Sequence, residues 1–327
     1  MNDKIDQIME LFIFNMKEMK GKFTWQNMIM KRFAALVFAS KGLELDLDLL
    51  TQNRERIKER TGGFSYFRGN TMMGMMAMMS LSDSPVSLLD DTVQVYDELK
   101  EAKFWASDYL VMTSLLIAMN TSAQERDAVI DRTHQFFEGL KPKHRFSMGQ
   151  NNMIYTGLLG LCDIHVESGL RRVEDLYEYL KPAFSNVFLS GGSVLALAQL
   201  LAIGDNYLRQ AERSIALSDS FREHKQRMDR QFSLPMLGML ATLPVENRAV
   251  AEEVNRVFEV LRNRKGFGSW SIGKDELLIL SGSLVYYGIL EEAEMADVDP
   301  MHLTSMITLL FAQQTGIAVA AAAAASS

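Results

Sequence analysis

The stretch LKEAKFWASDYLVMTSLLIAM, residues 99–119, contains in order every feature that decides the fold. It starts with the end of an amphipathic segment, passes through a basic and aromatic turn at Lys103 and Phe104, and ends in an almost wholly apolar run from Tyr109 onward. A helix that is hydrophobic on all sides is a buried helix, whereas an amphipathic helix keeps one face in water. We call the buried type A and the amphipathic type B. The stretch predicts a hairpin in which a B helix is followed by an A helix.

The same arrangement recurs along the chain, each time with an aromatic residue at the B-to-A turn. Subtraction gives intervals of 41, 40, 42, 42, 44 and 35 residues between Phe23, Phe64, Phe104, Phe146, Phe188, Phe232 and Phe267. Periods of roughly 20–50 residues mark repeat arrays. We therefore predict an all-α protein of about seven helical-hairpin repeats, each of ~42 residues, that form either an open α/α solenoid or a closed α/α toroid.

The repeats are predicted to form one domain. In a repeat array each unit contacts only its neighbours, so residues 1–314 fit into a single α-helical repeat domain. The alanine-rich tail, residues 315–327, is predicted to be frayed helix or disordered. Ser122 and Glu125 form the pattern of a capping box at the start of a B helix, and Asp299-Pro300 opens the last B helix in the sequence.

Composition restricts the compartment and the partners. A net charge of −7 argues against a nucleic-acid partner, which requires a basic field. The single cysteine, Cys162, excludes a disulfide or a CxxC site within the chain and indicates a reducing, cytoplasmic setting. No run of about 20 apolar residues is present, so no membrane partner is expected. We also expect no cofactor and no metal, because the methionine cluster at 72–79 is typical of core packing. The oligomeric state is left open.

Charges are polarised along the predicted B helices, which begin with acids and end with bases. One explanation is that these charges complement the helix macrodipole, each contributing about 0.3–1 kcal/mol. The other is functional. In a stack of hairpins the basic B ends and the free N–H groups that open each A helix gather on one edge, and both favour anions.

Polar residues of the B-to-A turns define a candidate ligand site. In a closed array these turns converge around one mouth, although such residues also cap helices. The candidate ligand-binding residues are Arg68, Asn70, Asp108, Lys143, Arg145, Gln150, Asn151, Ser193, Trp270 and Asp275.

Two stretches resemble a known family. The first is Gly62-Gly63-Phe64-Ser65, followed by Arg68 and an apolar helix; the second runs from Leu88 through Tyr96 to Lys103-Phe104. Both are similar to a family of uncharacterised bacterial proteins catalogued as domain of unknown function 4003. That family usually has Gly-Phe where this chain has Lys103-Phe104. The resemblance covers about residues 1–310. It implies an all-helical bacterial cytoplasmic protein, and it brings no activity or catalytic residues.

Two functional hypotheses follow. The first is a binding scaffold for a protein, a peptide or a small anionic ligand, because repeat arrays offer extended surfaces. The alternative is an α/α-toroid enzyme whose site lies at the polar turns before the A helices, with Asp108 or Asp275 as acid or base. Contact between the first and last A helices would favour the enzyme, and an open concave face would favour the scaffold.

Overall fold

A computed structural model describes residues 2–145, 147–185, 191–292, 309–312 and 316. In these ranges all regular structure is helical and no strand occurs. The B helices are α1 (Asn2–Glu18), α3 (Leu47–Arg60), α5 (Pro85–Glu101), α7 (Ala123–Leu140), α9 (Val166–Ala183), α11 (Tyr207–Glu223) and α13 (Asn247–Arg262). The A helices are α2 (Met28–Ala39), α4 (Met72–Ser80), α6 (Asp108–Asn120), α8 (Asn152–Leu161), α10 (Gly191–Leu201), α12 (Leu234–Thr242) and α14 (Lys274–Glu292).

The two helix types differ in burial as their sequences predict. In α4 every residue except Ser80 is buried, and the methionines of this helix are core residues. In α13 the buried positions form one stripe, which includes Val250, Val254 and Leu261, while the opposite face is charged. The predicted capping box of Ser122 and Glu125 is present at the start of α7. The hydrophobic pattern therefore assigns both types correctly.

Consecutive hairpins stack on one another. Each A helix packs against the B helix that precedes it, and neighbouring A helices pack together from α6 to α14 and between α2 and α4. Between α4 and α6 the contact runs through a short 3-10 helix, Tyr66–Arg68, which touches both. Neighbouring B helices pack together from α3 to α13. The A helices thus form one layer and the B helices another.

The first and last of these helices are in contact. α1 packs against α14 as well as against α2. At their closest approach Gly288 of α14 faces Ile5, and a Cβ on this glycine would lie 2.4 Å from Ile5 Cγ1. On α2, Arg32 donates a hydrogen bond to Glu276 of α14 at 2.9 Å, and both side chains are buried. The C-terminal hairpin α13–α14 therefore packs against the N-terminal hairpin α1–α2.

Residues 309–312 lie inside the stack. Their four side chains, Leu-Leu-Phe-Ala, are buried. The ring of Phe311 packs edge-to-face on Phe33 of α2, with 4.9 Å between the ring centroids. Gly74 of α4 leaves room for this ring, because a Cβ at that position would lie 2.1 Å from Phe311 Cε2. Gly316, the described residue of the alanine-rich tail, approaches α6 and the turn before α12.

The repeated aromatic residues do not all have the same environment. Phe104 and Phe267 are buried, but Phe64 is fully exposed. In that turn the packing role is taken by Phe67, which is buried against Tyr96 with 5.1 Å between the ring centroids. Phe146, Phe188 and the predicted last B helix at Asp299-Pro300 lie outside the described residues.

Candidate functional site

Side-chain hydrogen bonds join the first three B-to-A turns. Asn27 Nδ2 donates to Asn70 Oδ1 at 3.2 Å, and Asn70 Nδ2 donates to Asp108 Oδ2 at 3.3 Å. Asn27 also caps α2 by accepting a bond from the backbone N–H of Met30. The starts of α2, α4 and α6 therefore lie side by side.

Further hydrogen bonds continue this series through the later hairpins. Asn152 Nδ2 donates to the carbonyl of Gly192 at 3.2 Å, which joins the starts of α8 and α10. Ser193 Oγ donates to the carbonyl of Gln231 at 2.9 Å, which joins α10 to the turn before α12.

The last links return to the first hairpin. Lys274 Nζ at the start of α14 donates to the carbonyl of Lys225 at 3.2 Å. Arg32 Nη2 of α2 then donates to the carbonyl of Ser271, in the turn before α14, at 2.7 Å. The B-to-A turns consequently share one end of the molecule. We call it the B-to-A end, and we define it by its described residues, 19–27, 61–71, 102–107, 141–145, 147–151, 184–185, 224–233 and 263–273.

Charge differs sharply between the two ends of the molecule. The seven B-to-A segments carry twelve lysines and arginines and one acid, Asp229. The six A-to-B connections, residues 40–46, 81–84, 121–122, 162–165, 202–206 and 243–246, carry six acids and one base, Lys41. The B-to-A segments of an acidic chain are therefore strongly basic, although the acids Asp108 and Asp275 lie at the adjoining starts of α6 and α14.

Aromatic residues are distributed just as unevenly. Eleven of the 28 described Phe, Tyr and Trp residues stand in the B-to-A segments, and none stands in the six A-to-B connections. All three tryptophans belong to this set and are exposed, Trp25 at 45%, Trp105 at 64% and Trp270 at 104%. Phe64 is exposed at 108% and Tyr66 at 46%. Exposed aromatic groups gathered on one surface mark an interaction site.

The predicted basic site residues have different environments. Arg68 has a structural role, because its guanidinium donates hydrogen bonds to two backbone carbonyls at the end of α3. Lys143 Nζ lies 3.6 Å from Glu174 on the exposed surface. Arg145 is exposed and forms no ion pair with any described residue.

Asn70 and Asp108 are brought together, as described above. Burial raises the pKa of Asp108 above its ordinary value, and the hydrogen bond from Asn70 opposes this rise only in part. Gly69 packs on the same carboxyl group, since a Cβ there would lie 3.3 Å from Oδ1. A carboxyl group whose pKa is raised by burial, and which an amide holds in place, holds a proton more readily than an ordinary aspartate and can serve as an acid or base.

Gln150 and Asn151 do not converge with this pair. Gln150 is exposed, Asn151 is half-buried, and the neighbouring Asn152 has the structural role instead. Asn152 is fully buried, and its Nδ2 also donates to Gln199 Oε1 at 3.1 Å. Sequence reasoning missed this residue, because an asparagine at a helix start looks the same whether it caps the helix or reaches the next hairpin.

The remaining predicted residues lie at the same end. Ser193 is buried with its hydroxyl bonded to the next turn. Asp275 Oδ1 lies 3.5 Å from Arg230. The ring of Trp270 is fully exposed to solvent. The ten predicted residues therefore lie in the B-to-A segments or at the helix starts that adjoin them.

A cleft of about 410 Å³ opens at the opposite end. Its charged lining residues are Asp163 and Asp205, and Cys162 and Gln210 contribute to its wall. None of the ten predicted residues lines it. Within the described ranges, no group of three or more His, Cys, Asp or Glu side chains is placed to hold a metal ion. Among the helices of the described part, none is long and apolar enough to cross a membrane.

The fold and the B-to-A end define an all-α protein built from successive helical hairpins, with one aromatic and basic end. The chain belongs to the family described as protein of unknown function (DUF4003), whose profile matches residues 15–315. No curated protein and no solved structure matches the chain.

Proposed function

We propose that the seven hairpins form a closed α/α toroid, with the A helices as the inner ring. The packing of α1 against α14 supports this, because it repeats the contact that an A helix makes with the B helix of the next hairpin, as α4 does with α5. The buried hydrogen bond between Arg32 and Glu276 also supports closure, because it joins the first and last A helices.

Zero-length carbodiimide crosslinking tests the closure. Lys4 Nζ lies 3.0 Å from Glu291 Oε1, across the junction of α1 and α14. In a closed ring the Lys4–Glu291 crosslink forms in the monomer as readily as the internal reference, Lys143–Glu174, whose atoms lie 3.6 Å apart within the stack. A reference crosslink without the junction crosslink would mean that the array is open.

The function that the geometry supports best is that of a binding scaffold with an anionic partner. The observation that carries this proposal is the B-to-A end itself, with twelve basic residues against one acid and three exposed tryptophans. A basic surface attracts anions over about 8–10 Å at physiological ionic strength. The setting we propose is the bacterial cytoplasm, on the family resemblance and the single Cys162.

The contact between the first and last A helices, α2 and α14, counts toward the enzyme. The residues buried between the A helices favour the scaffold over an internal active site. Residues 309–312 are buried against α2 and α4, so apolar groups of the chain itself occupy the space between these A helices. The exposed tryptophans, Arg145 and Lys265 lie in the B-to-A turns and not among these buried residues. A partner would therefore bind across the end of the molecule and not within it.

Binding of a fluorescent poly-glutamate peptide tests the scaffold. We expect binding that weakens with salt and that falls about tenfold or more in Arg145→Glu/Lys265→Glu, since both residues are exposed at the B-to-A end. Lys41→Glu/Arg171→Glu is the matched control, because it reverses two exposed bases at or near the opposite end and changes the net charge by the same four units. Equal loss in both variants would show that net charge matters and the B-to-A end does not.

An enzyme remains the second candidate because of Asp108. Its raised pKa and its bond to Asn70 give it the properties of a general acid or base. In a panel of small-molecule hydrolysis substrates, Asp108→Asn would abolish any turnover seen in the wild type. Asp275, half-buried beside Arg230, is the other predicted carboxyl, and wild-type turnover in both Asp108→Asn and Asp275→Asn would remove this candidate.

A further inference from the structure

The tips of two B-to-A turns project away from the rest of the protein. Phe64 follows Gly62-Gly63, and a Cβ added at either glycine would meet no atom within 4 Å. Trp270 follows Gly266 and Gly268, where added Cβ atoms also meet nothing. Both rings are as exposed as in an isolated residue. Two large aromatic groups thus stand at the ends of glycine-flanked loops.

These tips share one end with the other two tryptophans. Trp25 and Trp105 precede α2 and α6, and the hydrogen bonds that join neighbouring turns hold the starts of these helices side by side. Phe64 and Trp270, each fully exposed at its own loop tip, offer separate apolar contact points at one end of the molecule, an arrangement suited to a broad partner surface.

Basic residues share this end with the rings, and the A-to-B connections at the other end are acidic. Arg145 and Lys265 are exposed in these turns, and neither pairs with a described acid. Trp and Tyr favour the interface between lipid headgroups and acyl chains, and Lys and Arg favour anionic headgroups. The acidic A-to-B end would be repelled by such a surface. The charge distribution therefore favours an anionic ligand and an orientation in which the B-to-A end faces it.

We propose that the B-to-A end docks peripherally on an anionic phospholipid surface, with Phe64 and Trp270 inserted at the headgroup level. This proposal rests on the proposed function, for which it names the anionic partner. We expected no membrane partner because the sequence has no run of about 20 apolar residues, a criterion that concerns spanning helices and not surface adsorption. Adsorption requires only apolar tips and electrostatic attraction.

Vesicle binding of the full-length protein tests the proposal. The probes are vesicles of phosphatidylcholine alone and of equal parts phosphatidylglycerol and phosphatidylcholine. We expect sedimentation with the anionic vesicles only, and a blue shift of the tryptophan emission, which reports on this end because all three tryptophans lie there. Phe64→Ser/Trp270→Ser should weaken binding by about tenfold or more. Leu208→Ser is the matched control, since Leu208 is 53% exposed at the start of α11, at the other end.

The outcomes separate the two proposals. Loss of binding in Phe64→Ser/Trp270→Ser, with binding retained in Leu208→Ser, supports lipid docking. Binding of poly-glutamate without binding of anionic vesicles overturns lipid docking and leaves the scaffold intact. Equal binding to both kinds of vesicle refutes the requirement for anionic lipid. If neither poly-glutamate nor vesicles bind, both proposals fail.

Discussion

Replacing Arg32 by methionine should destabilise the protein in a pH-dependent way. Arg32 and Glu276 are both buried, and their hydrogen bond of 2.9 Å connects α2 with α14. Removing one partner of a buried ion pair costs about 3–5 kcal/mol, because the other charge stays buried without compensation. We expect the free energy of unfolding to fall by that amount at pH 8.

The sign of the pH dependence follows from Glu276. Burial already raises its pKa above the ordinary value of 4.5, and Arg32 opposes that rise. In Arg32→Met the folded-state pKa rises further, so the folded protein holds a proton that the unfolded chain releases. Stability is then lost as pH rises from the unfolded pKa through the folded pKa. At pH 5 the loss should shrink to about 1–3 kcal/mol, which is the cost of the hydrogen bonds that Arg32 no longer makes, including that to Ser271.

Urea denaturation of wild type and variant at both pH values measures these differences. The double variant Arg32→Met/Glu276→Leu is the control, since replacing both charges by apolar groups should recover most of the loss and abolish its pH dependence. An equal loss at pH 5 and pH 8 would refute the reasoning, because it would mean that no buried charge is left behind.

Three further predictions concern the core and one buried acid. Phe311→Ala should lower the free energy of unfolding by about 3–5 kcal/mol, because the ring is fully buried; a loss below about 1 kcal/mol in urea denaturation would show that it lies outside the core. Gly74→Ala should destabilise, since overpacking against Phe311 costs about 1–3 kcal/mol and exceeds the gain of up to about 1 kcal/mol in helix propensity; a higher melting temperature would contradict this. Burial raises the pKa of Asp229, but hydrogen bonds from Arg227 and Arg222 outweigh burial and hold it below its ordinary value. Asp229→Asn should therefore cost about 1–3 kcal/mol at pH 7, and the difference from wild type should vanish as pH falls through that lowered pKa; a difference that persists in acid would contradict the assignment.

The helical layers could be predicted because their signals are local. The apolar run in α6 and the capping box of Ser122 and Glu125 each lie within a few turns of one helix, so periodicity and spacing find them. The position of the candidate site also followed from this regularity, because alternating helices place their B-to-A turns at one end.

Contacts between distant parts of the chain could not be predicted. Arg32 and Glu276 are separated by 244 residues in the sequence. Nothing in the sequence around either residue distinguishes it from a charged residue on a solvent-exposed helix face. Arg68 was predicted to bind a ligand, but backbone carbonyls at the end of α3 accept the hydrogen bonds of its guanidinium. Phe64 matched the repeat yet points into solvent, because Phe67, three residues later, fills the core position.

The packing of α1 on α14 also has a consequence for synthesis of the chain. Translation releases the N-terminal helix first, and about 5–20 residues follow each second, so its partner emerges some tens of seconds later. Throughout that interval Ile5 and Ile8, which are buried in the finished protein, lack their final neighbours. Newly made chains should therefore occupy the cell's holding chaperones until α14 has left the ribosome, and fragments that stop short of α14 should aggregate.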